Sequence, residues 1–299
     1  MSLPPIERIM DEGHRLPGVL SVVPPAAERV PAVFDSPHSG LTVPACPARA
    51  VSDAHVLRAS DTHVDALWDH VPDLGAPFLM AEFPRSYLDV NRNLADIDLG
   101  MVEGDWPHPV RDSATAKRGM GLMWRYAWGE THVNHRTLTI EEVQDRIDTY
   151  WRPYHALLAG LIDDTARQFG HVVHVNCHSM PSVGHSMSAD PPGTRRPDVV
   201  LSDRDGTSCD PDLIPALAAA FRDHGLTVTI NDPYKGGELV TAYNDPAAGR
   251  HSVQIELNRL LYMDEDTRER TADFAALKTV LQDVAAVAVT HAWTLSRGQ

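Results

Sequence analysis

Short apolar runs separated by turn-forming residues mark the first third of the chain. Val30-Pro31-Ala32-Val33-Phe34 predicts a buried strand, closed by the run Asp35-Ser36-Pro37-His38-Ser39-Gly40, whose Ser, Pro and Gly favour a turn. Between Ser52 and Val71 the apolar positions Val56, Val64, Leu67 and Trp68 predict helix, in one or two pieces. Pro77-Phe78-Leu79-Met80 predicts a second strand, and Tyr87-Leu88-Asp89-Val90 a third. Residues 95 to 137 are rich in Gly, Pro and His and only weakly periodic. A loop of that length inside a compact domain is either functional, such as a lid, or disordered.

The second half alternates more regularly. Thr139 and Glu142 make a capping-box pattern that opens a helix. Its apolar face runs through Val143, Ile147, Trp151, Tyr154, Leu158 and Leu161, and Gly170 supplies the stop. Pro153 falls inside that helix and predicts a kink or a split there. Strands follow at Val172 to Cys177, Val199 to Ser202 and Thr227 to Ile230, with a helix from Pro211 to His224. Ser252 to Leu257 alternates Val253 and Ile255 with Gln254 and Glu256, as a half-exposed strand does, and a closing helix runs from Asp266 to His291. Strands alternating with helices predict an α/β sheet covered on both faces. With no shift in composition to mark a boundary, residues 1–299 read as one domain.

Composition narrows the function classes. Hydrophobic residues make up 43% and charged residues 22% of the 299 positions, which is globular rather than disordered. No apolar run reaches the roughly 18 residues of a membrane span, and Met1-Ser2-Leu3-Pro4-Pro5 lacks the basic-then-apolar pattern of a secretory signal. Cys46, Cys177 and Cys209 form no CxxC pair, so reduced thiols in a cytoplasmic protein are expected. A net charge of −15, from 41 acidic and 26 basic residues, repels nucleic acid. An acidic chain that binds an anion must therefore gather its few arginines locally.

Two histidines stand directly after strand-like segments, His38 and His178. The carboxyl ends of strands in open α/β sheets face the ligand crevice. A hydrolytic zinc uses three protein ligands and one open position, so two imidazoles require a third partner. Asp61 and Asp65 are four apart on a predicted helix, which puts them on one face, and either can serve. Taken singly, each histidine is as well read as a turn or packing residue. His174 shares the strand face of His178 and reads as a packing or supporting residue.

A second cluster, Arg85 to Asn93, holds Arg85 and Arg92 beside Asp89, Asn91 and Asn93. Guanidinium forks match carboxylates bidentately, so the cluster reads as an anion site, or as a surface Arg85–Asp89 ion pair. Glu256 projects from the strand 252–257 and is either an exposed carboxylate or a base beside an activated water. Other schemes fail. Gly184-His185-Ser186-Met187-Ser188 lacks the closing glycine of a nucleophile elbow, and Cys177 and His178 face opposite ways on a strand. No phosphate-cradling glycine loop occurs.

Together these stretches resemble the N-formylglutamate amidohydrolase (N-formylglutamate deformylase) family. The matching segments, in order, are Asp35–Gly40, Asp61–Asp65, Arg85–Arg92, Asn176–Ser179, Pro233–Gly237 and Glu256–Arg259. The resemblance implies a three-layer α/β/α sandwich around a mixed sheet, similar to that of zinc carboxypeptidases, with one Zn²⁺ per chain. It implies His38, His178 and, by preference, Asp61 as metal ligands, Glu256 as general base, and Arg85, Asn91 and Arg92 as holders of substrate carboxylates. It further implies a small anionic N-acyl amino acid as substrate, N-formyl-L-glutamate above all, in histidine degradation. A zinc exopeptidase and a non-catalytic binding protein of the same fold are the rival readings. Two positions depart from the pattern. Leu41 replaces the acid of a H-x-x-E pair, which leaves the carboxylate ligand to Asp61 or Asp65. Glu238 stands where an aromatic residue is expected, and an acid there is expected to alter the acyl pocket.

Overall fold

The computed structural model describes residues 3–295. Helix α1 (Ile6–Glu12) leads into strands β1 (His14–Leu16), β2 (Leu20–Val23) and β3 (Ala32–Ser36). Two short helices, α2 (Asp53–Val56) and α3 (Val64–Leu67), precede β4 (Phe78–Ala81). Then come α4 (Ala114–Lys117), the small hairpin β5 (Tyr126–Trp128) and β6 (Thr131–His132), and helices α5 (Ile140–Arg146) and α6 (Arg152–Phe169). The last part alternates β7 (Val172–Met180), β8 (Val199–Ser202), α7 (Leu213–Asp223), β9 (Val228–Ile230), α8 (Glu238–Tyr243), β10 (Arg250–Asn258) and α9 (Phe274–Leu295).

Eight strands form one mixed sheet in the order β1-β2-β4-β3-β7-β10-β8-β9. The centre, β4-β3-β7-β10, is parallel, whereas β2 and β8 join it antiparallel. One face packs on α3, α7 and α9 through Phe34, Trp68, Val175, Leu217, Phe221, Ile255 and Leu281. The other packs on α1, α5 and α6 through Ile9, Val33, Leu79, Tyr154, Leu158, Leu161 and Val172. The three-layer α/β/α sandwich is thus observed: every central strand is apolar toward the α3/α7/α9 layer or the α1/α5/α6 layer, and β7 and β10 keep a polar face toward the second.

The helix around Pro153 shows how the sequence signals resolve. Thr139 and Glu142 make both bonds of the capping box. Pro153 sits in the first turn of α6, and the residues before it, Ile147–Trp151, widen into a π-helical turn. Widening gives the proline ring room where an α-turn would set it against the carbonyl four residues back. Gly170 ends the helix in the left-handed region at φ 83°, as a C-terminal glycine does.

Three expectations are corrected. Tyr87–Val90 forms turns rather than a strand, held by the Tyr87 N–H to Pro84 carbonyl bond. Asp61 lies ahead of α3 rather than on it, so Asp61 and Asp65 do not share a helix face. Strand β10 is buried along its length apart from Arg250. The alternation of Ser252, Gln254 and Glu256 therefore marks a polar face inside the protein rather than a solvent face.

Candidate metal centre and cavity

His38 stands two residues past β3, in a turn whose tightness depends on Gly40. A Cβ at Gly40 would collide with the Glu82–Phe83 backbone. The Asp61 N–H donates to the His38 carbonyl at 2.9 Å, pinning the two segments together. His178 lies near the carboxyl end of β7. The structure brings these three side chains, all buried, to one point, with their ligand-type atoms within 4.8 Å of one another. His38 Nδ1 is 3.1 Å from His178 Nδ1, and Asp61 Oδ2 is 3.5 Å from the first and 3.1 Å from the second.

The remaining ring nitrogens fix the proton positions. His38 Nε2 reaches Asp89 Oδ1 at 2.7 Å, and His178 Nε2 reaches Asn176 Oδ1 at 2.6 Å. Both partners are acceptors, and hydrogens on both Nε2 atoms would leave both Nδ1 lone pairs facing the triad; Asn91 Nδ2 also approaches His178 Nε2, at 3.2 Å. Burial pushes His178 down to about 4, which keeps its ring neutral near pH 7. Burial also works against charge on Asp61, but His178, His38 and Arg85 outweigh it and hold the carboxyl well below the usual range. Two lone pairs and a carboxylate oxygen, confronting each other in a buried space, make a receptor for a cation.

Each ligand is held from behind. Asp89 Oδ2 accepts from Arg85 Nε at 3.1 Å, Arg85 Nη2 at 3.0 Å and Trp124 Nε1 at 3.2 Å. Burial opposes ionisation of Asp89, yet Arg85, His38 and Arg92 keep it well below the ordinary carboxylate range. The Arg85–Asp89 pair is therefore buried structure and not a surface bridge. Asp61 Oδ1 accepts from Arg259 Nη2 at 2.9 Å. Asn176 donates to Asp35 at 2.7 Å, and Asp35 also accepts from Tyr154 and His174. His174 thus belongs to the network that supports His178 through Asn176.

Glu256 is the parallel-strand partner of His178, so its side chain leaves the same face of the sheet one strand away. Gln254 Nε2 donates to its Oε1 at 2.9 Å. Burial, and then the charge of Asp61, push Glu256 up to about 8. A carboxyl so placed exchanges protons near neutral pH.

Glu256 and His178 open onto a cavity of about 330 Å³. Arg85, Asn91 and Arg92 line it as well, so the sequence-predicted residues converge, apart from Asp65, which stands away on α3. Arg92 donates Nε to the Met120 carbonyl and Nη1 to the Asn91 carbonyl. The Asn91 carboxamide oxygen accepts from the Leu239 N–H at 2.9 Å. Glu238 points elsewhere, accepting from Asn93 Nδ2 at 2.6 Å, and is not among the lining residues. The 95–137 segment supplies Thr115, Arg118, Met120, Trp124 and Trp128 to the wall. Trp124, Met187 and Ala59 form a small apolar cluster of their own there. Sequence reasoning gave no role to Arg118 or to Arg259. Arg259 follows Glu256 closely in the chain, and that proximity was the available signal. Arg118 is an isolated basic residue in an aperiodic stretch and carried none.

Comparison with known proteins accords with this geometry. The sequence model described as N-formylglutamate amidohydrolase matches residues 30–263. N-formylglutamate deformylase of Pseudomonas putida is 30% identical over 243 residues, covering 79% of this chain and 83% of that protein. The Pseudomonas aeruginosa enzyme of the same name is 31% identical over 243 residues, covering 79% of this chain and 84% of its own length. The crystal structure of N-formylglutamate amidohydrolase from Ralstonia eutropha superposes with a TM-score of 0.87 at 41% identity, covering 94% of this chain and all of that one. A family model matched from before β3 to beyond β10 and relatives at 30% to 41% identity place the chain in the N-formylglutamate amidohydrolase family, a family of amide-bond hydrolases.

Proposed function

We propose that this chain hydrolyses N-formyl-L-glutamate, or a closely related N-acyl amino acid, to the free amino acid and the carboxylic acid. Zinc held by His38, Asp61 and His178 is the proposed cofactor. The observation that carries this reading is the triad of two Nδ1 atoms and one carboxylate oxygen, 3.1 to 3.5 Å apart. Ligands about 2.0–2.1 Å from a tetrahedral zinc stand about 3.3 Å from each other, and three protein ligands are the number a catalytic zinc uses. Bound there, the metal supplies Lewis acidity and eases deprotonation of water toward a pKa of ~7.

The chain's own residues do the rest. Glu256, on the cavity wall, accepts the proton of the attacking water and passes it to the leaving amine. Asp89 and Asn176 hold the two imidazoles in the tautomer that leaves Nδ1 free. Arg85, Asn91 and Arg92 hold the carboxylates of the substrate and fix the amide against the triad. The names of the Pseudomonas and Ralstonia relatives support the N-formyl substrate. Among the described residues no helix is long and apolar enough to cross a membrane, and three free thiols accord with a cytoplasmic setting.

The test is a hydrolysis panel of N-formyl and N-acetyl amino acids on purified protein, with metal analysis and a chelator arm. Turnover of N-formyl-L-glutamate with about one zinc per chain, abolished by chelator and restored by zinc, is expected. Equal turnover in the metal-stripped protein would remove the metal from the mechanism.

A further inference from the structure

Four arginines reach the cavity, and they are not equivalent. Arg85 is committed to Asp89 and lies 3.8 Å from Asp61, and Arg259 is committed to Asp61 at 2.9 Å. Among the described residues neither Arg92 nor Arg118 has an ion-pair partner. Arg92 spends Nε and Nη1 on backbone carbonyls, and Arg118 spends Nε on the Met187 carbonyl at 3.1 Å. Arg92 Nη2 and both terminal nitrogens of Arg118 are left for the cavity. Both side chains line the same cavity; burial disfavours the charge of Arg92, while Asp89 favours it. Two guanidinium groups without ion-pair partners on the wall of one cavity call for an anion.

Their position says which anion. Arg85 and Arg259 lie against Asp61, so those two stand beside the triad. Arg118 comes instead from the end of α4, and its bond to Met187 ties the 113–132 segment to the 181–196 loop. This wall is built from loops rather than from the strands that carry His178 and Glu256. An amino acid whose α-carboxylate adjoins the scissile amide can reach that wall only with its side chain.

We propose that Arg118, paired with Arg92, receives the side-chain carboxylate of the substrate and makes the enzyme selective for an acidic amino acid. The inference rests on the amidohydrolase reading above. Steady-state kinetics of the zinc-loaded wild type, Arg118→Ala and Arg118→Lys with N-formyl-L-glutamate and N-formyl-L-glutamine test it. Arg118→Ala should raise KM for the glutamate compound about 10²-fold, the scale of a lost charge-assisted pair. Its kcat should stay within a few-fold, and KM for the glutamine compound should change less than about 2-fold. Arg118→Lys should fall between, because it keeps the charge and loses the fork. An unchanged KM for the glutamate compound, or equal losses on both substrates, overturns the proposal.

If the wild type hydrolyses neither compound, the deformylase reading has failed, and calorimetric binding of glutarate reads the carboxylate site directly. Weaker glutarate binding by Arg118→Ala than by wild type supports the site. Equal binding by the two proteins removes it.

Discussion

Glu256 of β10 and His178 of β7 are direct partners in a parallel pairing. Their side chains therefore leave the same face of the sheet, one strand apart. The proposed metal ligand and the proposed base are thus set on adjacent central strands, while the arginines that line the cavity come from outside the strands.

Glu256→Gln should keep stoichiometric metal and lower kcat by about 10²-fold or more, the usual scale for a lost proton-transfer group. Gln254 can still hydrogen-bond the amide, so thermal stability should change little. Undiminished turnover in this variant would take Glu256 out of the mechanism.

Asp61→Ala removes one ligand and leaves Arg259 without its carboxylate. Zinc content by mass spectrometry should fall well below one per chain. Adding zinc should then raise the melting temperature of the wild type but not of the variant, since only a state that binds metal is stabilised by it.

Asp89→Asn retains an acceptor for His38 Nε2 but removes the charge that pairs with Arg85. Metal affinity should drop about 10- to 100-fold, the typical cost of losing a carboxylate behind a metal-binding histidine. A competition titration against a chelator of known affinity measures it, and unaltered affinity would make Asp89 a purely structural residue.

His155 is buried, donating Nε2–H to the Val90 carbonyl at 2.8 Å and accepting at Nδ1 from the Tyr243 hydroxyl at 2.8 Å. Burial lowers its pKa from 6.5 to about 4. Between those values the unfolded chain binds a proton that the folded chain refuses, so stability is full above about pH 6.5 and is lost as pH falls toward 4. The loss attributable to this ring is on the order of 3 kcal/mol. Denaturant melts across pH 4 to 7 should show a shallower slope for His155→Gln than for wild type, by about one proton.

Gly40→Ala should lower both stability and metal occupancy, because the added carbon meets backbone that cannot rotate away. Wild-type metal affinity in that variant would mean the turn carrying His38 can shift freely.

The layered fold was readable from the chain because strand and helix periods alternate plainly after residue 139, and because Thr139, Glu142 and Gly170 act locally. The two histidines were readable for a similar reason, since each stands at the carboxyl end of a strand-like run, although β7 continues past His178 to Met180. What sequence could not supply was the third dimension. Asp61 and Asp65 look equivalent along a presumed helix, yet only Asp61, in the turn before α3, is bonded to the His38 backbone. Glu256 reads as half exposed because polar and apolar residues alternate, whereas burial between β7 and β8 makes that alternation an inner polar face. Arg118 is invisible in sequence because its place on the cavity wall depends on a bond to Met187, far along the chain.

That inner polar face has a consequence for how the protein matures. His174, Asn176 and His178 on β7 lie opposite Ser252, Gln254 and Glu256 on β10, while Val173, Val175, Cys177, Val253, Ile255 and Leu257 fill the other face. Sliding either strand by a single residue would thrust imidazole and carboxylate into the oily layer beneath α9 and turn valines toward His38 and Asp61. Misaligned chains would then be inert and fragile together, so one selection, exerted by folding itself, screens for catalytic competence as well.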